Sequence, residues 1–291
     1  MSNVIWYIFL AAISLGIASY AIYMKRDIYK VSTFIVFYLF SAAITWVGEF
    51  IVLGLFNSYA YRTGLFQNPW AQNLLGHLLL NTSMFPAAAT VMAAYSLGYG
   101  MIAWVTVIFV LVEYVFIKLG LYEQHWWRYY MSAINVVAFM LITKKWFSKM
   151  NQERYGLTRA ITFYFVAFLF IHIPTPILLL LGKQHYQLDL INNLVGDFYL
   201  SSTMVAFIHH LVLTCVFVFL VCKLKKWYWK IAPFIISPIV LTTYAKMNIL
   251  IIHVGWKLIY YILIQQICTA AFILFEKFTL KPSGSCLDRN G

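Results

Sequence analysis

Glu49, His77, Glu113, Glu123 and His125 are groups in the first half of this chain that could hold a cation or pass a proton, and the first three stand inside long apolar stretches. An ionisable side chain in hydrocarbon costs about 2–3 kcal/mol even on the lenient insertion scale unless it is paired or faces water, so its presence there is rarely incidental. Asn73, His77 and Asn81 recur four apart, a spacing that puts all three on one face of a helix. The segment Asn73-Leu74-Leu75-Gly76-His77 is echoed by Asn193-Leu194-Val195-Gly196-Asp197, with Ser201 at the place of Asn81. Glu49, His77, Asn81, Glu113, Glu123, His125 and Asp197 are therefore the candidate ligand-binding residues.

Several kinds of chemistry fit such a set. The most economical is mutual pairing that holds a helical bundle together. A polar cavity for a small solute or ion is the second. A metal site is the third, because His and Glu are suitable zinc or iron ligands. No HxxxH, HExxH or ExxH pairs two ligands on one helical face, so no metal or other cofactor is expected. Intramembrane catalysis comes last: no GxSxG or GxGD element places a nucleophile beside a base. His209-His210 read most simply as polar residues satisfied within the bundle.

The elements that must position these residues are set by composition. The chain is 63% hydrophobic and 10% charged, with successive apolar runs near the 20 residues that a helix needs to cross a bilayer. The class is all-α, a polytopic helical membrane protein whose partner is the lipid bilayer. Nine spans are expected, near 4–24, 31–55, 71–95, 100–120, 127–144, 158–181, 192–222, 230–247 and 256–275. Pro86, Pro174, Pro176, Pro233 and Pro238 fall within them, where proline kinks a helix and frees carbonyls. The net charge of +12 sits mostly in short loops, as topology determinants do, and nucleic acid is not an expected partner. Cys215, Cys222, Cys268 and Cys286 show no framework spacing and are expected to be free thiols. Nothing in the sequence indicates an oligomeric state.

Basic residues follow the odd-numbered spans: Lys25, Arg26 and Lys30; Lys144, Lys145, Lys149 and Arg154; Lys223, Lys225, Lys226 and Lys230; Lys277, Lys281 and Arg289. The alternate loops carry only Arg62, Lys118, Arg128, Lys183, Lys246 and Lys257. With the richer set facing the cytoplasm, the N-terminus is outside and the C-terminus inside. The first span lacks a basic lead and precedes Lys25-Arg26, which predicts a retained anchor rather than a cleaved signal.

The echoed stripe belongs to a longer similarity. Tyr29-Lys30-Val31-Ser32, Ile35, Phe37 and Tyr38 match Tyr155-Gly156-Leu157-Thr158, Ile161, Phe163 and Tyr164. Spans two to five and six to nine are thus expected to be two tandem, parallel four-helix repeats, behind one extra helix. The boundaries are 1–28 for the anchor, 29–150 and 151–280 for the repeats, and 281–291 for a cytoplasmic tail. An even number of spans per unit predicts a pseudo-two-fold axis along the membrane normal. In this register Glu49 matches Thr175, His77 matches Asp197 and Glu113 matches Thr243, and His77 is expected to approach Asp197.

Trp70, Asn73-Leu74-Leu75-Gly76-His77, Asn81, Pro86, Glu113 and Tyr122-Glu123-Gln124-His125-Trp126-Trp127 carry a resemblance over residues 57–130. This stretch resembles a family of uncharacterised multi-pass membrane proteins of endospore-forming bacteria. The resemblance implies a bacterial plasma membrane and a role around sporulation or the envelope, and it implies no reaction. Two functions remain open: small-solute or ion transport through an outward-facing polar pocket, and a structural, sensory or assembly role without transport or catalysis. The topology makes the first prediction. A reporter active only in the cytoplasm should work when fused after Gly291 or Met150 and stay silent after Gln67; a silent C-terminal fusion means a miscounted span.

Overall fold

The computed structural model describes residues 3–152, 156–224 and 226–280. The expected tail 281–291, and with it Lys281, Cys286 and Arg289, lies outside the described residues, as do Arg154, Tyr155 and Lys225. The chain runs α1 (Val4–Met24), α2 (Val31–Glu49) continued by a π-helical turn Phe50–Leu55, and β1 (Tyr59–Tyr61). Then come α3 (Pro69–Leu80), α4 (Met84–Ala94), α5 (Tyr99–Lys118), β2 (Tyr122–Gln124) and α6 (Tyr129–Gln152). The rest comprises α7 (Leu157–His172), α8 (Pro174–Leu180), β3 (Gln184–Tyr186), α9 (Asp189–Val195), α10 (Phe198–Val218) with a π-helical turn Phe219–Lys223, α11 (Ala232–Lys246), β4 (Leu250–Ile252) and α12 (Leu258–Phe278).

Among the described residues, seven helical segments are long and apolar enough to cross a membrane: Val4–Met24, Val31–Leu55, Pro69–Ala94, Tyr99–Lys118, Leu157–Leu180, Phe198–Lys223 and Leu258–Phe278. This is the architecture of an all-α, multi-pass membrane protein. Two further helices stand where a fifth and an eighth span were expected. α6 has 24 residues but carries Lys144, Lys145 and Lys149 in its second half. α11 has 15 residues, a length of about 22 Å, against a hydrocarbon core of about 30 Å. The outer faces of the bundle are apolar: Trp6, Phe9 and Ile13 on α1, Trp104, Ile108 and Leu111 on α5, and Leu263 and Ile267 on α12 are exposed. In water such faces would be untenable, and lipid is the solvent that suits them. The α7–α8 segment is the most enclosed of the seven. It packs on α2, α10 and α12, and Phe163, Val166, Ala167 and Phe168 are fully buried there.

Two small antiparallel ladders were not foreseen. β1 pairs with β2, Tyr59 opposite Gln124 and Tyr61 opposite Tyr122, and β3 pairs with β4, Gln184 opposite Ile252 and Tyr186 opposite Leu250. The backbone around them is alike. Arg62 N donates to Leu121 O at 2.8 Å and Gln187 N to Ile249 O at 2.8 Å; His125 N donates to Ser58 O at 3.1 Å and His253 N to Lys183 O at 3.0 Å. The strands are entered through left-handed residues, Asn57 (φ 45°) and Gly120 (φ 67°) in one case, Gly182 (φ 62°) and Asn248 (φ 55°) in the other. Open strand edges cannot sit in hydrocarbon, so both ladders belong at the membrane surface. They lie at one end of the bundle, since Asn68, which caps α3, donates to Asp197, which caps α10, at 2.9 Å.

Helix breaks follow the prolines. Pro86 has no N–H to offer Thr82 O, and the Tyr38 hydroxyl donates to that carbonyl instead, at 2.6 Å. Asn81 O, in the turn between α3 and α4, accepts from Thr45 Oγ1 at 2.8 Å. Pro174 begins α8, and Ile171 O beside the break accepts from Gln265 Nε2 at 3.0 Å.

The echoed stripe is corrected here. Asn73, His77 and Asn81 do line one side of α3 and its end, but Asn193, Asp197 and Ser201 are not on one helix face. α9 stops at Val195, Gly196 takes φ 72°, and Asp197 starts a new helix by accepting from Leu200 N. Gly76 plays a different part from Gly196: a Cβ on Gly76 would lie 2.5 Å from Tyr61 Cγ and 2.6 Å from Tyr61 Cβ. The Tyr61 ring therefore rests on the α3 backbone. Gly76→Ala should displace it at a cost of about 1–3 kcal/mol, read as a lower melting temperature in detergent. Gly16→Ala on α1, which would meet nothing within 4 Å, should leave melting unchanged or slightly raised.

Candidate functional site

Glu49 ends α2 beneath the first ladder. Its carboxylate accepts from the hydroxyls of Tyr59, at 2.5 Å, and Tyr61, at 2.9 Å. The same strand is fixed from α3, where Asn73 Oδ1 accepts from Tyr61 N at 2.7 Å. One turn along, His77 Nδ1 is 2.7 Å from Asn81 Nδ2, which makes Asn81 the donor. Period-four spacing on a helix brings that pair together. Burial keeps the phenols of Tyr59, Tyr61 and Tyr122 well above the ordinary tyrosine range, so they stay neutral donors.

Two clefts meet at Glu49. The first, a space of about 50 Å³, lies between the two halves of the chain and is bounded by Trp46, Glu49, Trp70, His77, His172 and Phe207. The His77 ring packs on Trp46 with centroids 4.1 Å apart, and Trp46 meets His172 edge-on at 5.4 Å. His172 Nδ1 is 3.0 Å from His210 Nδ1, so one imidazole donates to the other. Trp46 Nε1 and His172 Nε2 have no partner, although each residue is only 1% exposed. Buried polar atoms are nearly always satisfied, so these two orphans stand out beside the cleft that their residues line. The second cleft, of about 100 Å³, lies within the first half, with Glu49, Glu113, Tyr59, Tyr122 and Trp127 on its walls. Glu113 accepts there from Gln124 Nε2 at 2.8 Å.

The structure thus gathers Glu49, His77 and Glu113 around two adjoining spaces, with Asn81 held against His77. The other expected residues stand apart. Glu123 is exposed and accepts from Arg62 Nε at 2.9 Å, a contact that lowers its carboxyl pKa. His125 is exposed, with Nδ1 2.8 Å from Asn57 O. Asp197 is taken up by Asn68 and by the α10 cap, and His77 by Asn81, so the expected approach of His77 to Asp197 is not made directly. Its physical reason is the helix start at Asp197, which turns that carboxylate to the backbone of its own first turn.

Some residues escaped the sequence. His172 and His210, 38 positions apart, meet only through packing of α7 on α10. In the second half Thr175 Oγ1 lies 2.8 Å from the Tyr261 hydroxyl, which is 3.1 Å from that of Tyr186. At the opposite end Glu276 binds Arg159 at 2.8 Å and Lys230 at 3.0 Å, an ion-pair triad in which Glu276 is buried. Its signal was present as an acid at the very end of the last apolar run. Among the described residues no group of three or more His, Cys, Asp or Glu could hold a metal, and Cys215, Cys222 and Cys268 are free. No protein-family model, curated protein or solved structure matches this chain.

The second ladder carries a pH-sensitive contact. His185 Nδ1 is 2.7 Å from His253 Nε2, and partial burial, with His253 beside it, lowers the His185 pKa. A folded-state pKa below the unfolded value means that the folded form resists protonation. The stabilisation is then complete above the unfolded value, about 6.5, and declines as pH falls below it towards the folded value. The melting temperature of the purified protein should therefore drop between pH 7.5 and 5.5, and His185→Gln should flatten that drop.

Proposed function

We propose that this is an integral membrane protein of nine spans, two like four-helix units behind an anchor, whose cleft between the units binds a small polar solute from outside and carries it across. The observation behind the binding site is the pair of orphaned buried atoms, Trp46 Nε1 and His172 Nε2, on the wall of a cleft that also holds Glu49 and His77.

The ladders support the duplication. Tyr59 and Gln184 begin equivalent strands 125 positions apart, and Tyr122 and Leu250 begin their partners 128 apart. Asn68 and Asp197 are both helix caps, and Tyr61 N and Tyr186 N donate to Asn73 and Ser202. In that register His77 matches Ala206 rather than Asp197, Asn81 matches His210, and Glu113 matches Leu241 rather than Thr243. Trp46 matches His172. Matched residues touch one another where an axis passes, as Trp46 touches His172 and Asn68 touches Asp197. The cleft then lies beside the axis, where alternating access places a substrate.

Charge supports the orientation. Lys25, Lys144, Arg159 and Lys230 gather at the end away from the ladders, and Asn3 donates to Arg62 O at the ladder end, at 3.0 Å. With the basic end cytoplasmic, the ladders, the N-terminus and the cleft face outwards.

The resemblance to proteins of endospore-forming bacteria favours a second reading, an envelope or sporulation protein that assembles without transport. Glu123, His125 and Asp197 fit it, because each has a partner that holds backbone or loop in place.

Accessibility and function separate the two. Thr203→Cys, on the cleft wall, in a chain with its native cysteines changed to serine, should react with a membrane-impermeant thiol reagent added to intact cells. His77→Ala and Glu113→Gln should abolish rescue of a deletion strain while membrane abundance and melting hold. If abundance falls together with rescue, the residues are structural: each change strands a buried partner at about 1–3 kcal/mol. A Thr203→Cys variant that does not react removes the outward cleft.

A further inference from the structure

The end of the bundle away from the ladders carries a groove of about 680 Å³, a size within the range of small-molecule sites. It is lined by Met92 and Ala93 of α4, by Tyr99 at the start of α5, and by Leu141, Lys144 and Lys145 of α6. α5 has 20 residues, a length of about 30 Å, and its other end leads into β2. The groove therefore stands one hydrocarbon thickness from the ladders, at the opposite membrane surface.

Among the described residues that line this groove two are lysines and none is acidic. Lys144 Nζ donates to Leu97 O and lies 4.3 Å from the centre of the Tyr99 ring, which holds the ammonium at the groove wall. An ammonium has three donors, and Leu97 O takes one of them. Lys145 is exposed and, like Lys149 one turn further on, forms no ion pair among the described residues. Like charges four apart on a helix repel, and an anion beside them relieves the repulsion.

The groove opens onto a face made for lipid. On α6 Ile134, Ala138, Leu141, Lys145 and Lys149 follow one another at intervals of three or four, and all are exposed. One helix face is thus apolar and then basic, the same division as the chain and headgroup of a phospholipid. A soluble anion would use only the basic part.

We propose that this groove holds one anionic phospholipid, its phosphate at Lys144 and Lys145 and an acyl chain along Ile134, Ala138 and Leu141. The site is separate from the ligand cleft at the other end of the bundle, and it does not depend on which end faces the cytoplasm.

Three probes dissect it: dioleoyl phosphatidylglycerol, dioleoyl phosphatidylcholine, whose choline cancels the charge, and glycerol 3-phosphate, which lacks the chains. Each is titrated onto the purified full-length protein in a mild non-ionic detergent, and bound copies are counted by native mass spectrometry. One phosphatidylglycerol should bind, with phosphatidylcholine about tenfold weaker and glycerol 3-phosphate unable to displace it. Lys145→Gln should weaken phosphatidylglycerol about fivefold and leave phosphatidylcholine unchanged. Lys144→Gln should do the same; if that variant does not fold, Lys145→Gln and the probe series still decide. Lys277→Gln, which removes an exposed charge on α12 outside the groove, should have no effect. Equal binding of the two lipids, or unchanged phosphatidylglycerol binding in Lys145→Gln, overturns the proposal. Displacement by glycerol 3-phosphate overturns the choice of a lipid in favour of a soluble phosphate. Weakening by Lys277→Gln equal to that by Lys145→Gln overturns the groove, because lysines that merely reach the interface act through their summed charge.

Discussion

The carboxylate of Glu49 and the two tyrosine hydroxyls that donate to it tie the end of α2 to β1, and β1 in turn joins elements that the chain keeps far apart. Tyr59 and Tyr61 stand on β1, whose partner β2 is supplied by the loop after α5, some sixty residues on. Asn73 on α3 holds the same strand by its backbone, and Gly76 lets the Tyr61 ring lie against the helix. Once these contacts are made, the ends of α2, α3 and α5 have fixed relative positions, and the walls of both clefts follow. A half-buried, hydrogen-bonded acid of this kind is costly to leave incomplete, which gives it leverage over its neighbours.

The second half solves the same mechanical problem with neutral groups. Thr175, Tyr186 and Tyr261 exchange hydroxyl contacts beneath β3 and β4, with Gln265 donating to Tyr261 and to the free carbonyl of Ile171. The ladder stands without a carboxylate there, so strand support alone does not require Glu49 to be an acid. The cleft between the halves is asymmetric for the same reason, acidic towards α2 and histidine-lined towards α7.

Hydropathy, loop charge and helical spacing were legible in the sequence. Apolar runs announce helices because every backbone group in lipid must be satisfied within its own segment, and a run of about 20 residues is what a bilayer demands. The His77–Asn81 contact could be read from a spacing of four, since a helix turns its neighbours into partners at that interval. Pro86 and Pro174 marked the breaks, because a missing N–H cannot be recovered locally.

Other features were decided only by tertiary structure. Strands of three residues carry too little pattern to be seen, and β1 finds β2 only after the intervening helices have been arranged. The echo of Asn73, His77 and Asn81 in Asn193, Asp197 and Ser201 misled because a left-handed glycine at position 196 ends one helix and starts another, which sets a new face for everything after it. His172 meets His210, and Glu276 meets Arg159 across 117 positions, through helix packing that no local spacing encodes. Short-range geometry is written in residue order, whereas which faces meet is settled by the packing of the whole bundle, where each helix has several apolar sides to offer.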